Sequence, residues 1–125
     1  MEENKRENLI VDRSFDFSLQ IIKLYKKLLQ EHEYVISKQV LKSGTSIGAN
    51  INEAQAAQSK KDFIAKMSIA SKEARETKYW LRLLSRSALT NNCDGLLKTL
   101  LHDVEDIINV LTRIVKTSSD SLKKC

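Results

Sequence analysis

With 125 residues, 42% hydrophobic and 30% charged, the chain has room for one continuous core and too apolar a balance for a disordered polymer. It contains no proline and three glycines, Gly44, Gly48 and Gly95. A β-rich fold needs many turns built from those two residues, so a few long helices are expected. The net charge of +5 suits an acidic partner such as nucleic acid or an anionic surface, and no run approaches the roughly 20 apolar residues of a membrane span.

Residues 1–13 are expected to form a flexible, charged N-terminus; the opening MEENKRENLI is too polar for a signal peptide. Residues 14–117 are expected to form a bundle. Helix 1 is predicted from about Ser14 to about Gln30. Its apolar residues make two stripes, Phe15, Leu19, Ile22 and Leu29 on one and Phe17, Ile21, Leu24 and Leu28 on the other. At about 100° per residue the two together cover more than half the circumference, wider than a helix packed on one side requires. The excess predicts self-association.

Helix 2 is predicted from about Glu33 to about Ala57, with Ile36, Val40, Ile47, Ile51 and Ala54 on one face and Gly44 on the same line. Ser43-Gly44-Thr45 marks either a kink or the close approach of another helix. Helix 3 is predicted to begin at Ser59, whose spacing to Asp62 is a capping-box variant, and to run to about Ala88. Phe63, Met67, Ala70, Ala74, Thr77, Leu81 and Leu84 form its core stripe, and Ile69, Trp80 and Leu83 lie on another arc. Thr90-Asn91-Asn92 breaks the pattern, and Asn92 or Asp94 caps helix 4. Leu97, Leu100, Leu101, Val104, Ile107, Ile108, Leu111, Ile114 and Val115 carry that helix to about Lys116. Residues 118–125 are expected to be a flexible tail, with Cys125 mobile. Long helices on short connections are antiparallel neighbours, so the predicted fold is all-α, an antiparallel up-down four-helix bundle.

Charge is concentrated on helix 3. Residues 60–88 hold eight basic residues against three acidic ones, which equals the whole net charge, because the other 13 basic and 13 acidic residues cancel. Lys60, Lys61, Lys72, Arg75, Lys78, Arg82 and Arg86 fall within an arc of about 120° on a helical wheel, with Lys66 outside it. Such a stripe tracks phosphates without reading sequence or forms a solvated outer face. Tyr79 lies near its edge, but aromatic residues do not interleave it regularly, so base stacking has little support in the pattern. Lys78, Arg82 and Arg86 share their arc with no acid of helix 3 and are the strongest candidates for contact.

Catalytic patterns fit poorly. His102 stands in H-x-x-E-D with Glu105 and Asp106, the reverse of the paired Glu-x-x-His of di-iron bundles. His32, between Glu31 and Glu33, reads as a loop residue. No arginine stands four to seven residues before either histidine, as helical ribonucleases with an Arg–His pair require. Phosphate loops, H-E-x-x-H and nucleophile elbows are absent. Cys93 and Cys125 show no metal or redox spacing. No enzyme activity, cofactor or metal is expected, and a cytoplasmic location is the default.

Ser46, Asn50 and Glu53 border the core line of helix 2 and are predicted to form a structural polar network, Asn50 and Glu53 meeting Arg75 or Lys78 of helix 3. The run Ser46-Ile47-Gly48-Ala49-Asn50-Ile51-Asn52-Glu53-Ala54 resembles the S-I-x-x-N-I-x-E-[AG] signature of bacterial four-helix-bundle proteins encoded in intervening sequences of 23S ribosomal RNA genes. The match continues through Ser59-Lys60-Lys61-Asp62-Phe63, Ile69-Ala70 and the Glu73-Ala74-Arg75-Glu76-Thr77 to Leu84 block, and spans roughly Phe15 to Val115. This resemblance implies a homopentamer. It also extends to the accessory variability protein of diversity-generating retroelements, a basic pentamer that binds nucleic acid and a reverse transcriptase. Family members often carry alanine in the R-[AS]-x-S-I segment, where this chain has Lys42-Ser43-Gly44-Thr45-Ser46, so Gly44 is expected to loosen helix 2 locally and the resemblance leaves its packing angle open. The reading is a non-enzymatic oligomer that binds RNA or DNA through helix 3. The alternatives are a scaffold docking an acidic protein partner and a structural oligomer with no charged ligand.

Overall fold

A computed structural model describes residues 2–123, with side chains from residue 8 onward. Four helices follow one another: α1 Glu2–Gln30, α2 Ile36–Ala54, α3 Lys60–Ser87 and α4 Asp94–Lys123. Each packs on the next and α4 closes on α1, while among the described residues the backbones of the diagonal pairs α1–α3 and α2–α4 stay apart. Short connections between consecutive neighbours make this the expected antiparallel up-down bundle. Its centre is filled by Phe17, Ile21, Leu24 and Leu28 of α1, Val40, Ile47 and Ile51 of α2, Met67, Ala70, Ala74, Leu81 and Leu84 of α3, and the leucine, valine and isoleucine run of α4. Burial of that apolar surface is the main force holding the four helices together.

Two boundaries differ most from the sequence expectation, and α2 is also shorter than expected, Ile36–Ala54 rather than about Glu33 to about Ala57. Helix α1 begins at Glu2 rather than near Ser14, because Ile10 lies four and seven residues before Ser14 and Phe17 and continues their buried line at 1% exposure. At the other end, α4 runs past Lys116 to Lys123. There Ser118 follows Ile114 by one turn onto the buried face, and Lys60 Nζ reaches Ser121 Oγ at 2.6 Å. Residues 8–13 and 118–123 thus belong to the bundle; Met1, Lys124 and Cys125 lie outside the described residues.

The connections are built from capping chemistry. At the end of α1, His32 takes the left-handed conformation (φ 64°). Its N–H donates to the Leu29 carbonyl and that of Glu33 to the Leu28 carbonyl, the paired bonds of a Schellman motif. The Glu33 carboxylate then accepts from the N–H groups of Val35, Ile36 and Ser37, the last at 2.6 Å. A carboxylate on exposed helix N–H groups satisfies orphan donors and complements the helix dipole. Glu33 therefore starts α2 from outside it, and the helix begins three residues later than its apolar pattern suggested. Ser59 caps α3 as expected, its Oγ accepting from Asp62 N at 3.0 Å. Asp62 reaches back to the N–H of Gln58 rather than to that of Ser59.

The α3–α4 connection is tied down by α1. Glu31 accepts the Asn91 N–H at 2.7 Å and the Cys93 thiol at 3.4 Å. Cys93 is fully buried. Burial, helped by the hydrogen bond to Glu31 and its negative charge, pushes the thiol above its ordinary value of 9.0. The fold therefore favours the neutral thiol over the thiolate. That preference contributes stability fully below the ordinary thiol value and loses it as pH rises towards the folded one, since the unfolded chain ionises first. In a Cys125→Ser chain, iodoacetamide should alkylate native Cys93 at least about 100-fold more slowly than the denatured chain, because the thiolate is the reacting form. Glu31→Ala should narrow the gap; equal rates in native and denatured protein would contradict a closed, neutral thiol.

Candidate nucleic-acid interface

The solvent-facing flank of α3, beside its buried line, carries the basic stripe. Lys60, Lys61, Lys72, Arg75, Arg82 and Arg86 are exposed and Lys78 is half-buried. The wheel arc places the stripe on the side of α3 that turns towards α4, and three of its members reach that helix. Lys60 bonds Ser121, Arg75 Nη2 donates to Thr112 Oγ1 at 3.4 Å, and Lys78 pairs with Glu105 at 2.6 Å. The expectation that Lys78 shares its arc with no acid holds within α3 and fails between helices, because Glu105 of α4 projects into the same strip. Lys61, Lys72, Arg82 and Arg86 make no hydrogen bond or ion pair among the described residues. Between α3 and α4 the stripe borders a cleft of about 220 Å³ lined by Arg75, Lys78, Tyr79, Arg82, Glu105 and Ile108.

The polar residues of α2 do not assemble as expected. Ser46 donates to the Lys42 carbonyl and Asn50 to the Ser46 carbonyl, both within α2. Glu53 crosses to α3, but to Lys66 at 3.5 Å rather than to Arg75 or Lys78, which face α4. Its side chain is 62% exposed, and a pair this open is worth under about 1 kcal/mol. The buried polar link between these helices lies elsewhere, nearly three turns before Glu53 on α2: Thr77 and Ser43 meet at 2.9 Å with both residues fully buried. No spacing within either helix announces it.

The surplus apolar surface of α1 is real. Phe17, Ile21, Leu24 and Leu28 are buried, while Phe15, Leu19 and Ile22 are 63%, 50% and 38% exposed. With Val11 and the small residues Thr45, Gly48 and Ala49 of α2, Phe15 and Ile22 line an open groove of about 430 Å³. On α3, Ile69 is exposed and Trp80 and Leu83 are half-buried. His102 is a surface residue, 78% exposed, 3.7 Å from Asp103 and 3.6 Å from Asp106. Among the described residues no group of three or more histidine, cysteine or acidic side chains is placed to hold a metal, and no helix is long and apolar enough to cross a membrane.

An up-down helical bundle with a cationic outer strip and an uncovered apolar groove defines the class of protein. Residues 6–113 match the 23S rRNA-intervening sequence protein family, and the chain belongs to that family. Its fold is shared with a crystal structure of a protein of unknown function from the S23 ribosomal protein family of Bacteroides thetaiotaomicron VPI-5482. That protein is 46% identical, with a TM-score of 0.83, over 89% of this chain and 98% of the other. No curated protein matches the chain.

Proposed function

We propose that this protein is a non-enzymatic, cytoplasmic oligomer that binds RNA or DNA through the outer face of α3. The observation that carries the reading is the set Lys61, Lys72, Arg82 and Arg86, exposed along one arc and unpaired among the described residues. Uncompensated cations in a row are what a phosphate backbone rewards, since each contact releases a condensed counterion. The rest of the chain is charge-neutral, so the strip dominates the long-range field that steers an acidic ligand.

Oligomerisation rests on the α1 groove. A patch built by Phe15, Leu19 and Ile22 beside small α2 residues is the kind of surface that another chain covers. The family resemblance selects a homopentamer, in which five copies of the strip would add by avidity. Light scattering at micromolar concentration should then give a mass near five chains, and Phe15→Asp with Leu19→Asp should reduce it. A monomeric wild type would remove both the interface and the pentamer.

Binding is tested by fluorescence anisotropy with labelled RNA and DNA across a salt series. Affinity should fall steeply between low and physiological salt and depend weakly on sequence. Replacing Lys72, Arg82 and Arg86 together by glutamine should flatten the log–log salt slope by up to about 3, near 0.9 per lost phosphate contact, and leave the melting temperature in place. If the wild type binds neither RNA nor DNA at low salt, the reading fails. Capture of an acidic protein through the same residues would put the scaffold reading in its place.

A further inference from the structure

Tyr79 sits where the strip meets the α3–α4 cleft. It follows Arg75 by four residues and precedes Arg82 by three, so the three side chains are neighbours on the helix surface. Tyr79 is 55% exposed, so a ligand can reach its ring among the cations. It is also braced. Trp80 packs edge-on against it, with ring centroids 5.2 Å apart at an interplanar angle of 72°, which restricts the rotamers that a ligand would otherwise have to freeze. The cleft beside it has an apolar contribution from Ile108 and a wall in which Lys78 is already neutralised by Glu105. Arg75 keeps only a long bond to Thr112, and Arg82 has no partner among the described residues.

These features separate two kinds of nucleic acid. A duplex shows this face only phosphates, because its bases are stacked inside, and a lone tyrosine ring gains nothing from it. A single strand brings an accessible base face together with its own phosphates. At about 220 Å³ the cleft is smaller than the roughly 300 Å³ at which sites for whole small-molecule ligands begin, so it suits one base or one phosphate at a time. We propose that the α3–α4 cleft takes one unpaired nucleotide of a single-stranded nucleic acid, its base stacked on Tyr79 and its flanking phosphates held by Arg75 and Arg82. This rests on the nucleic-acid reading above and adds to it a strand preference that the charge strip alone does not supply. Base–aromatic stacking is tolerant of sequence, so the preference is for unpaired bases and not for a motif.

The experiment compares single-stranded RNA, single-stranded DNA and an RNA duplex, each about 12 nucleotides long, within the span covered by such single-strand sites. Each is titrated with wild type, Tyr79→Ala and Tyr79→Phe in the same low-salt buffer. The wild type should bind at least one single strand more tightly than the duplex. Tyr79→Ala should weaken that single strand about tenfold, within the range measured for loss of one stacked base, and leave the duplex unchanged. Tyr79→Phe should bind like the wild type, because the ring face and not the hydroxyl carries the contact. Dependence on Tyr79 with RNA alone or DNA alone would assign the source of the strand. Equal losses for single strand and duplex, or no loss in Tyr79→Ala, would overturn the cleft while leaving the charge strip standing. An absence of binding to all three by the wild type would overturn both readings. Unchanged melting of Tyr79→Ala is the check that a loss is not unfolding.

Discussion

Gly44→Ala should destabilise the bundle by about 1–2 kcal/mol, against the direction expected for an alanine inside a helix. In an exposed helix the exchange would gain roughly 0.5–1 kcal/mol from backbone entropy. Here a Cβ at position 44 would lie 2.8 Å from Ile21 Cγ1, 2.9 Å from Cγ2 and 3.0 Å from Cδ1. Ile21 is fully buried and β-branched, so its methyl groups cannot swing away without leaving a preferred rotamer. Overpacking of this kind costs about 1–3 kcal/mol, which outweighs the helix gain. The partner change makes the argument specific. Ile21→Ala alone opens a cavity and costs about 2–5 kcal/mol, but in the Gly44→Ala background the new methyl partly fills it. The double variant should therefore be more stable than the sum of the two losses by about 1 kcal/mol or more. Denaturant melts of the four proteins check this; strict additivity would show that Gly44 and Ile21 do not share the contact.

Thr77→Val should cost about 1–3 kcal/mol, although it changes almost no volume. Thr77 Oγ1 lies 2.8 Å from the Glu73 carbonyl and 2.9 Å from Ser43 Oγ. One hydroxyl carries one proton, so Thr77 donating to Glu73 leaves it to accept from Ser43. Valine removes that acceptor and strands a serine hydroxyl at a site with no exposure, and an unsatisfied buried polar group costs about 1–3 kcal/mol. Replacing both partners, as Thr77→Val with Ser43→Ala, should bring stability back to within about 1 kcal/mol of the wild type, since nothing polar is then left unpaired. A single variant that melts with the wild type would mean that Ser43 finds another acceptor.

Both contacts fall within the triplet Ser43-Gly44-Thr45. In the sequence this run is compatible with a kink or with a close approach, and α2 passes through it as one helix from Ile36 to Ala54. The alternative realised is close approach on two sides, α1 against Gly44 and α3 against Ser43. Neither partner is visible from α2 itself, because Ile21 and Thr77 belong to other helices and the choice depends on how far each helix slides along its neighbour.

The α1 stripes make the same point for the surface. Periodicity identifies both apolar rows, and their combined width shows that one faces something other than the monomer core. It does not tell which. Phe17 and Ile21 turn inward and Phe15 and Leu19 outward because Ile10 and Ser14 extend the first row onto α4 and α2. The basic strip was legible in full as a row of residues, yet its effective charge was not: Glu105 lies on α4 and neutralises Lys78 only through the axial register of α3 against α4. Glu53 was legible as a link to α3 but not in its partner Lys66.

What the sequence by itself determined is whatever repeats along one helix: the number of helices, their apolar faces, the Ser59 cap, the cationic row on α3 and the pattern that places the chain in its family. These depend on residues within one or two turns of each other, where the 3.6-residue period sets geometry before any tertiary contact exists. What only the tertiary structure decided is every property of a pair of helices. It set which apolar row is buried, the Gly44–Ile21 contact, the Ser43–Thr77 bond and the loss of Lys78 to Glu105. It also set the cleft that brings Tyr79 beside Arg75 and Arg82. Those follow from the rotation and slide of one packed helix against another, fixed by the interlocking of side chains across the whole core, and no local pattern encodes them.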